Sequence, residues 1–370
     1  MTTADTPPLQ ASAGRSWRLA RRSGVTSRQT AMARIAGVLG ALIIAGVILA
    51  LSGRNAPSLL GKALDGTFGE RQGLEEMGLL LTPILMNALA VHIPLRMKLW
   101  NIGSEGQFFM GAWAAAGVGI YWGGPRYVVL VVMALAGMAG GAMWILVPAL
   151  ARARWQVNEI ITTLLLNFIA IQWVAWFSFD LWRDRAAAVV QSTPVVQARL
   201  PFFPGSSTLY VGIFVPLVIA AVTFVVFRST RWGYEVDVIG GNPRAAAFAG
   251  IRVTRRIVAV MLISGAIAGL SGMLHLAGPA QRLNSSISNN YGLSGFIVAA
   301  LAGSSVVGIV VGAVFIASML HAGITLQSDG LSVYVVAAVY GLVLVGIAIG
   351  EVAARFRVVR SGDLDAAGAR

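Results

Sequence analysis

Long apolar runs separated by short polar segments make up most of this chain. Since a helix that crosses a membrane needs about twenty apolar residues, the pattern predicts about ten spanning helices. They lie near residues 35–53, 76–95, 103–121, 126–150, 158–180, 208–227, 256–277, 291–304, 306–323 and 331–350. The pattern therefore predicts an all-α integral membrane protein, in which 291–304 and 306–323 are short enough to be broken or re-entrant.

The polar segments divide the chain into a basic N-terminal tail (1–34), a transmembrane domain (35–350) and a C-terminal tail (351–370). Within the transmembrane domain, the longest basic segment is a loop at 228–256. Twenty of the 28 Lys and Arg residues fall in the tails and on the side of this loop. Positive charge marks the cytoplasmic side of a membrane protein, so both termini and the loop are expected to be cytoplasmic.

Composition supports the membrane assignment and excludes other classes. The chain is 57% hydrophobic and only 12% charged, against about 25% charged residues in a soluble domain. Its net charge of +13 follows from the cytoplasmic segments, so nucleic acid is not an expected partner. With no Cys and three isolated His residues, neither a disulfide, a metal site nor a cofactor is expected.

Two similar motifs predict an internal repeat. The pattern N-x-G-x-x-G begins at Asn101 and again at Asn290. Asn101 is expected to cap a helix and Glu105 to lie in its first turn, where the helix dipole favours negative charge. By the predicted topology the two motifs open helices on opposite sides of the membrane. Such an inverted repeat would place a solute site near the midplane.

A further polar face lies on the helix predicted at 158–180. Glu159, Thr163 and Asn167 recur every four residues and share one face of the helix. Glu159 is expected to pair with Arg152 or Arg154. Thr163 and Asn167 need hydrogen-bond partners in lipid, either as contacts between helices or as the lining of a pathway. The residues predicted to line a translocation pathway are Asn101, Glu105, Gln107, Thr163, Asn167 and Asn290.

The types of polar residue that are missing from the predicted spans indicate the function. Because no Lys or Arg lies in the middle of a span, the pattern favours a neutral, hydroxyl-rich solute such as a sugar or nucleoside. No phosphate-binding loop of the form G-x-x-x-x-G-K-[ST] is present, so ATP hydrolysis would need a separate subunit. An ion-coupled secondary transporter remains an alternative. An intramembrane serine protease, with Ser271 or Ser294 and His321, is a weaker one.

Three segments carry a resemblance to a known family. Residues 101–107 (NIGSEGQ), 157–170 (VNEIITTLLLNFIA) and 240–251 (GGNPRAAAFAGI) resemble the membrane-embedded permeases of ATP-binding-cassette (ABC) importers. The nucleoside and simple-sugar branch, related to ribose and branched-chain amino-acid permeases, is the most similar. The resemblance covers roughly residues 75–350 and departs at 301–308, which lacks the proline expected between helices.

The resemblance implies a coupling helix that docks on an ATPase. Local sequence agrees, since Asn242 and Pro243 favour a helix start and Gly250 a helix end. The residues assigned to this coupling loop are Gly240, Asn242, Pro243, Arg244, Ala245, Ala246 and Gly250. The resemblance also implies the cytoplasmic (plasma) membrane, ABC ATPase subunits, a second permease copy or paralogue, and an extracytoplasmic solute-binding protein. The chain itself is expected to have no catalytic residue.

Overall fold

The computed structural model describes residues 17–22, 26–186, 192–303 and 305–360. The helices are α1 (Ser27–Leu51), α2 (Ala56–Leu64), α3 (Arg71–Leu95), α4 (Ser104–Tyr121), α5 (Arg126–Trp155), α6 (Glu159–Trp176), α7 (Phe214–Ser229), α8 (Arg231–Gly241), α9 (Pro243–Phe248), α10 (Val253–His275), α11 (Tyr291–Ala302), α12 (Val306–Ser328) and α13 (Val333–Arg355). Two strands, β1 (Trp17–Arg21) and β2 (Phe356–Arg360), form an antiparallel pair. The rest of the described chain is helical turns and irregular loops.

Each of the ten predicted spans coincides with a helix, which confirms the all-α membrane fold. Among the described residues, eight helices are long and apolar enough to cross a membrane. The other two are α4, with Glu105 and Gln107 in its first turns, and α11, which has 12 residues. At about 1.5 Å per residue, α11 is about 18 Å long and shorter than the 30 Å hydrocarbon layer. It is short as predicted, whereas α12 continues to Ser328 and is a full-length helix.

Several boundaries differ from the prediction because capping residues lie outside the apolar runs. Helix α1 begins at Ser27 rather than at residue 35. A reciprocal capping box between Thr26 and Gln29 sets this start. Part of the predicted N-terminal tail is therefore helix and strand, and its first 16 residues lie outside the described part of the chain. At the other end α13 runs to Arg355 and is followed by β2. Residues 54–75, which lie between the first two predicted spans, contain α2 and the first turn of α3.

One structural unit comprises the described residues of 1–61 and 326–370. In it α1 and α13 pack closely, because Gly37 lies against the carbonyl of Gly346 with no room for a Cβ atom. Arg34 Nε donates to Glu351 Oε2 at 2.6 Å. Small residues allow the two helices to approach this closely. The close approach gives van der Waals contact, which matters because the hydrophobic effect does not bring helices together in lipid.

The second unit, residues 62–325, contains the polar residues predicted to be functional. Its centre is formed by α3, α4, α5, α10 and α11. Helices α5 and α10 touch through their backbones, with Gly141 and Gly265 in mutual contact and Gly269 against Gly137. These contacts leave no room for side chains at the crossing, so the centre of the unit is tightly packed.

Candidate solute path and coupling helix

The segment before α4 returns the chain from the end of α3 into the helix bundle. Here Asn101 and Gln107 exchange two hydrogen bonds of 3.1 and 3.0 Å between their side-chain amides. The Asn101 amide also donates to Ser264 Oγ at 2.9 Å, and its oxygen accepts the Gly103 N–H at 3.0 Å. The prediction that Asn101 caps α4 is wrong: Gly103 occupies the cap position, and Asn101 instead holds the preceding turn against α10.

The polar face of α6 joins the same cluster. Asn167 accepts the Gly106 N–H at 2.8 Å and donates to the Ile102 carbonyl at 2.9 Å. Thr163 donates to the carbonyl of Glu159 at 2.7 Å, and the Glu159 carboxylate pairs with Arg152 at 3.2 Å. The expected partners are therefore present. Asn101, Gln107, Thr163 and Asn167 are all buried and bonded within this one chain.

The two repeated motifs meet at one place. Ser104 Oγ donates to the Gly292 carbonyl at 3.1 Å, and the Gly292 N–H donates to Glu105 Oε2 at 2.6 Å. We call this contact between the beginnings of α4 and α11 the helix-start junction. Because residues that share hydrogen bonds lie at one depth, the two helices begin at the same level inside the bundle rather than at opposite surfaces of the membrane. Asn290, which precedes α11, is exposed and adopts a left-handed conformation (φ 58°).

The chain reaches this junction through residues 278–290, which lie between two of the predicted spans. Leu283 and Ile287 in this segment are buried, and the Leu283 N–H donates to Thr193 Oγ1 at 3.0 Å. The segment therefore enters the bundle, because it has to bring Tyr291 to the start of α4. Its apolar residues, spaced four apart, were the signal in the sequence for burial.

Sequence reasoning missed a seam of buried polar and aromatic side chains on α10. Asn87 Nδ2 donates to Ser271 Oγ at 3.2 Å, and Ser264 Oγ donates to the Ala90 carbonyl at 2.6 Å. One turn beyond Ser271, the ring of His275 lies 5.1 Å from that of Tyr291. Since 264, 271 and 275 lie on one face of a helix, their spacing could have indicated this seam.

The geometry of the serines disfavours the protease alternative. Ser271 accepts a hydrogen bond from Asn87, whereas His321 on α12 lies 3.3 Å from the Gly66 carbonyl and 3.6 Å from Glu76. Within the described residues neither Ser271 nor Ser294 has a hydrogen bond to His321. A serine nucleophile requires a base within hydrogen-bonding reach, and this arrangement does not supply it.

The predicted helix in the basic loop is present as α9. Asn242 caps it by accepting the N–H groups of Arg244 at 3.0 Å and Ala245 at 3.2 Å, and Pro243 is its first residue. Gly250 follows with a φ of 81°, a conformation that favours glycine and ends the helix. Both ends of α9 are therefore specified by the residues that predicted it.

The two faces of α9 have opposite surroundings. Ala246 is fully buried, whereas Phe248 is 95% exposed, and Arg244 is also exposed. Because an isolated six-residue helix is marginal in water, the burial of Ala246 holds α9 to the rest of the protein. Phe248 is an exposed aromatic residue that the sequence-based assignment did not include.

Helix α8 joins α9 to the ends of the membrane helices. Val236 and Ile239 of α8 share a buried cluster with Met97, next to α3, and with Ala246 of α9. Asp237 on α8 makes a two-point ion pair with Arg96, with Nε donating to Oδ1 at 2.7 Å and Nη2 donating to Oδ2. Gly240 lies against the Arg96 carbonyl, where a side chain would not fit. A displacement of α9 would therefore reach the segment that leads to Asn101.

The protein is thus a multi-pass helical bundle with a capped, exposed helix beside its membrane helices, as expected of a transporter permease. The chain matches the family described as "Branched-chain amino acid transport system / permease component" over residues 74–350. It belongs to this family of ABC importer permeases.

Individual relatives agree with the family. The chain is 32% identical to the glucose ABC transporter permease protein TsgB13 of Haloferax volcanii, over 78% of this chain and 79% of that protein. It is 32% identical to the guanosine ABC transporter permease protein NupP of Bacillus subtilis, over 75% and 81%. It is 28% identical to the nucleoside ABC transporter permease protein NupB of Lactococcus lactis, over 80% and 84%. No solved structure gives a significant match to the chain.

The predicted class is thereby confirmed. The chain is the membrane-spanning permease subunit of an ABC importer, in the branch of nucleoside and sugar permeases, and is not itself an enzyme. Membership of the family implies an ATPase and a substrate-binding protein as partners. The comparisons do not favour the secondary transporter or the protease.

Proposed function

We propose that this permease imports a neutral, hydroxyl-rich solute, a nucleoside or a simple sugar, across the plasma membrane. The relatives named above handle glucose, guanosine and nucleosides. Among the described residues, the buried polar side chains are amides, hydroxyls, imidazoles and the carboxylates of Glu105 and Glu159, with no buried Lys or Arg. A phosphorylated or carboxylate solute would lack a cationic partner along such a path.

The proposed path follows the helices that carry Asn101, Glu105, Gln107, Thr163, Asn167 and Asn290. These residues lie on or beside α4, α6 and α11. In the conformation described here, Asn167 bonds α6 to the start of α4, and Glu105 bonds α4 to α11. Transport requires these helices to move relative to one another as the path opens first to one side and then to the other. Buried amide pairs suit such movement, because they can exchange partners with solute hydroxyl groups.

The two faces of α9 are the observation that carries the coupling proposal. Its exposed face, with Arg244 and Phe248, is proposed to enter a cleft of the ATPase, while Ala246 fastens α9 to the permease. Closure of the ATPase pair would then push α9, and the ion pair between Asp237 and Arg96 would pass the displacement to the segment before α4. Among the predicted coupling residues, Asn242, Pro243 and Gly250 set the two ends of this helix and Gly240 allows the contact of α8 with Arg96, while Ala245 is exposed beside Arg244.

The proposed orientation places both termini in the cytoplasm, and the proposed assembly adds a second permease and a binding protein. The excess of Lys and Arg in the tails and the α8–α9 segment supports cytoplasmic termini. Family membership supports a second permease copy or paralogue beside this chain. An extracytoplasmic binding protein would deliver the solute to the opposite face.

Substitutions on the exposed face of α9 test the coupling. Arg244→Asp and Phe248→Asp should each abolish ATPase binding and uptake, because both residues lie on the proposed contact surface. Arg154→Asp, which changes an exposed arginine at the end of α5, is the matched control and should retain both. ATPase binding is measured by co-purification. Full binding and uptake in the Phe248→Asp protein would show that α9 is not the docking helix.

Uptake of labelled nucleosides and sugars, in cells with and without this chain, tests the solute class. Uptake should require the chain and the ATPase together. Accumulation driven by an ion gradient in vesicles without any ATPase would contradict the proposal.

A further inference from the structure

A buried carboxylate lies between two helices that begin side by side inside the bundle. Glu105, the second residue of α4, is 3% exposed. Its Oε2 accepts the N–H of Gly292, the second residue of α11, at 2.6 Å. The Ser288 side chain and the Leu293 N–H face the same carboxylate. Donors from α11 and from the residues before it therefore converge on one acidic group of α4.

No cation balances this carboxylate. Among the described residues no Lys, Arg or His forms an ion pair with Glu105, whereas Glu159, the other buried carboxylate, pairs with Arg152. A charge removed from water needs compensation. A helix N-terminus carries roughly +0.5 of an elementary charge, so the starts of α4 and α11 together supply about one positive charge. These partial charges favour the ionised form of the Glu105 carboxyl group, as do the N–H donors from α11.

At the helix-start junction a single residue of α11, Gly292, fixes the position of that helix against α4. The Gly292 carbonyl accepts from Ser104 Oγ at 3.1 Å while its N–H donates to Glu105. Thus both backbone polar groups of one residue, Gly292, are bound by neighbouring residues of α4. A Cβ atom at Gly292 would collide with the backbone of Glu105, so only glycine allows this approach. Helix α11 is too short to span the membrane and needs an anchor for its inner end.

We propose that the converging starts of α4 and α11 form an anion-binding site and that Glu105 is its built-in ligand. Glu105 is then a positioning residue: its carboxylate is engaged by the backbone of α11 and holds that helix against α4. This role rests on the proposed function only in that α4 and α11 border the solute path. It assigns Glu105 to the support of the path and not to contact with the solute.

Chemical rescue tests the site. Glu105→Ala removes the side chain's CH2–COO⁻ group, which acetate restores nearly atom for atom. In the purified permease the substitution should lower the thermal midpoint by about 5 °C or more, and acetate should recover much of this loss. In the complete importer the maximal uptake rate should fall about tenfold with little change in the half-saturating solute concentration, since a positioning contact is lost. Acetate should raise this rate again.

Gln107→Ala is the matched control. It lies on the same helix, is buried to the same degree (1% exposed) and leaves a hole of similar size without a missing charge. Its midpoint should not respond to acetate. Glu105→Gln keeps the shape and one acceptor oxygen but not the charge, so it should be destabilised and insensitive to acetate. The Glu105→Gln protein also tests the proposal if the Glu105→Ala protein does not fold.

Three results would overturn the proposal. These are a Glu105→Gln protein with the stability and uptake of the wild type, a Glu105→Ala protein that acetate leaves unchanged, and an equal acetate effect on Gln107→Ala. If the wild-type importer moves neither nucleosides nor sugars, the proposed function fails. The acetate-dependent thermal midpoint of the isolated permease would still decide whether the anion site exists.

Discussion

Replacement of Asn101 by alanine should be among the most costly single changes in the bundle. Its side chain makes four buried hydrogen bonds, two with Gln107 and one each with Ser264 and the Gly103 N–H. Side-chain hydrogen bonds contribute about 0.6 kcal/mol on average between membrane helices and about 1 kcal/mol in soluble proteins. Four of them give a predicted loss of about 2–4 kcal/mol in the free energy of unfolding.

The measurement is unfolding in mixed detergent micelles, followed by the fluorescence of the ten Trp residues. Gln172→Ala is the control, because Gln172 is an exposed residue of α6 whose side chain has no hydrogen bond among the described residues. It should cost less than about 0.5 kcal/mol. The reasoning is refuted if Asn101→Ala costs no more than this control.

A double-mutant cycle adds a sharper test of the same cluster. Asn101 and Gln107 share two of the four bonds, so the single changes should not add. We expect a coupling energy of about 1–2 kcal/mol. Strict additivity would mean that the paired amides do not interact.

Two further predictions concern α9 and the helix crossing. Asn242→Ala removes the cap of α9, which should cost about 1 kcal/mol and weaken ATPase binding severalfold in a co-purification titration; unchanged affinity would contradict it. Gly269→Ala would place a Cβ atom against the Gly137 carbonyl and 2.9 Å from the Gly141 Cα, so unfolding should become easier by about 1–3 kcal/mol. Gly341→Ala in α13, where no atom lies within 4 Å, is its control and should be neutral or stabilising; equal effects would refute the packing argument.

Much of the fold was predictable because lipid imposes a local rule. Backbone N–H and C=O groups in hydrocarbon must be paired within the segment, so an apolar run of sufficient length becomes a helix. All ten predicted spans coincide with helices for this reason. Helix α9 was predictable too, since Asn242, Pro243 and Gly250 act on their own neighbours in sequence.

The depth at which helices begin was not predictable in this way. The motifs at Asn101 and Asn290 correctly indicated two helix starts but not that the two starts meet inside the bundle. Their actual contact, Glu105 with Gly292, joins residues that are 187 apart in the chain. This contact depends on how far the segments before α4 and α11 enter the bundle. Counting charged residues in loops gives no information about that depth.

The sequence by itself therefore determined the membrane class, the positions of the spans, the capped helix in the basic loop and the likeness to importer permeases. Tertiary structure alone decided that Asn101 binds Ser264 rather than capping α4, that Ala246 faces inward while Phe248 faces outward, and that Glu105 meets the start of α11. The physical reason is the range of the interactions. Helix formation and capping are settled within a few residues, whereas the partner of a buried polar group is settled by which distant helices can approach it.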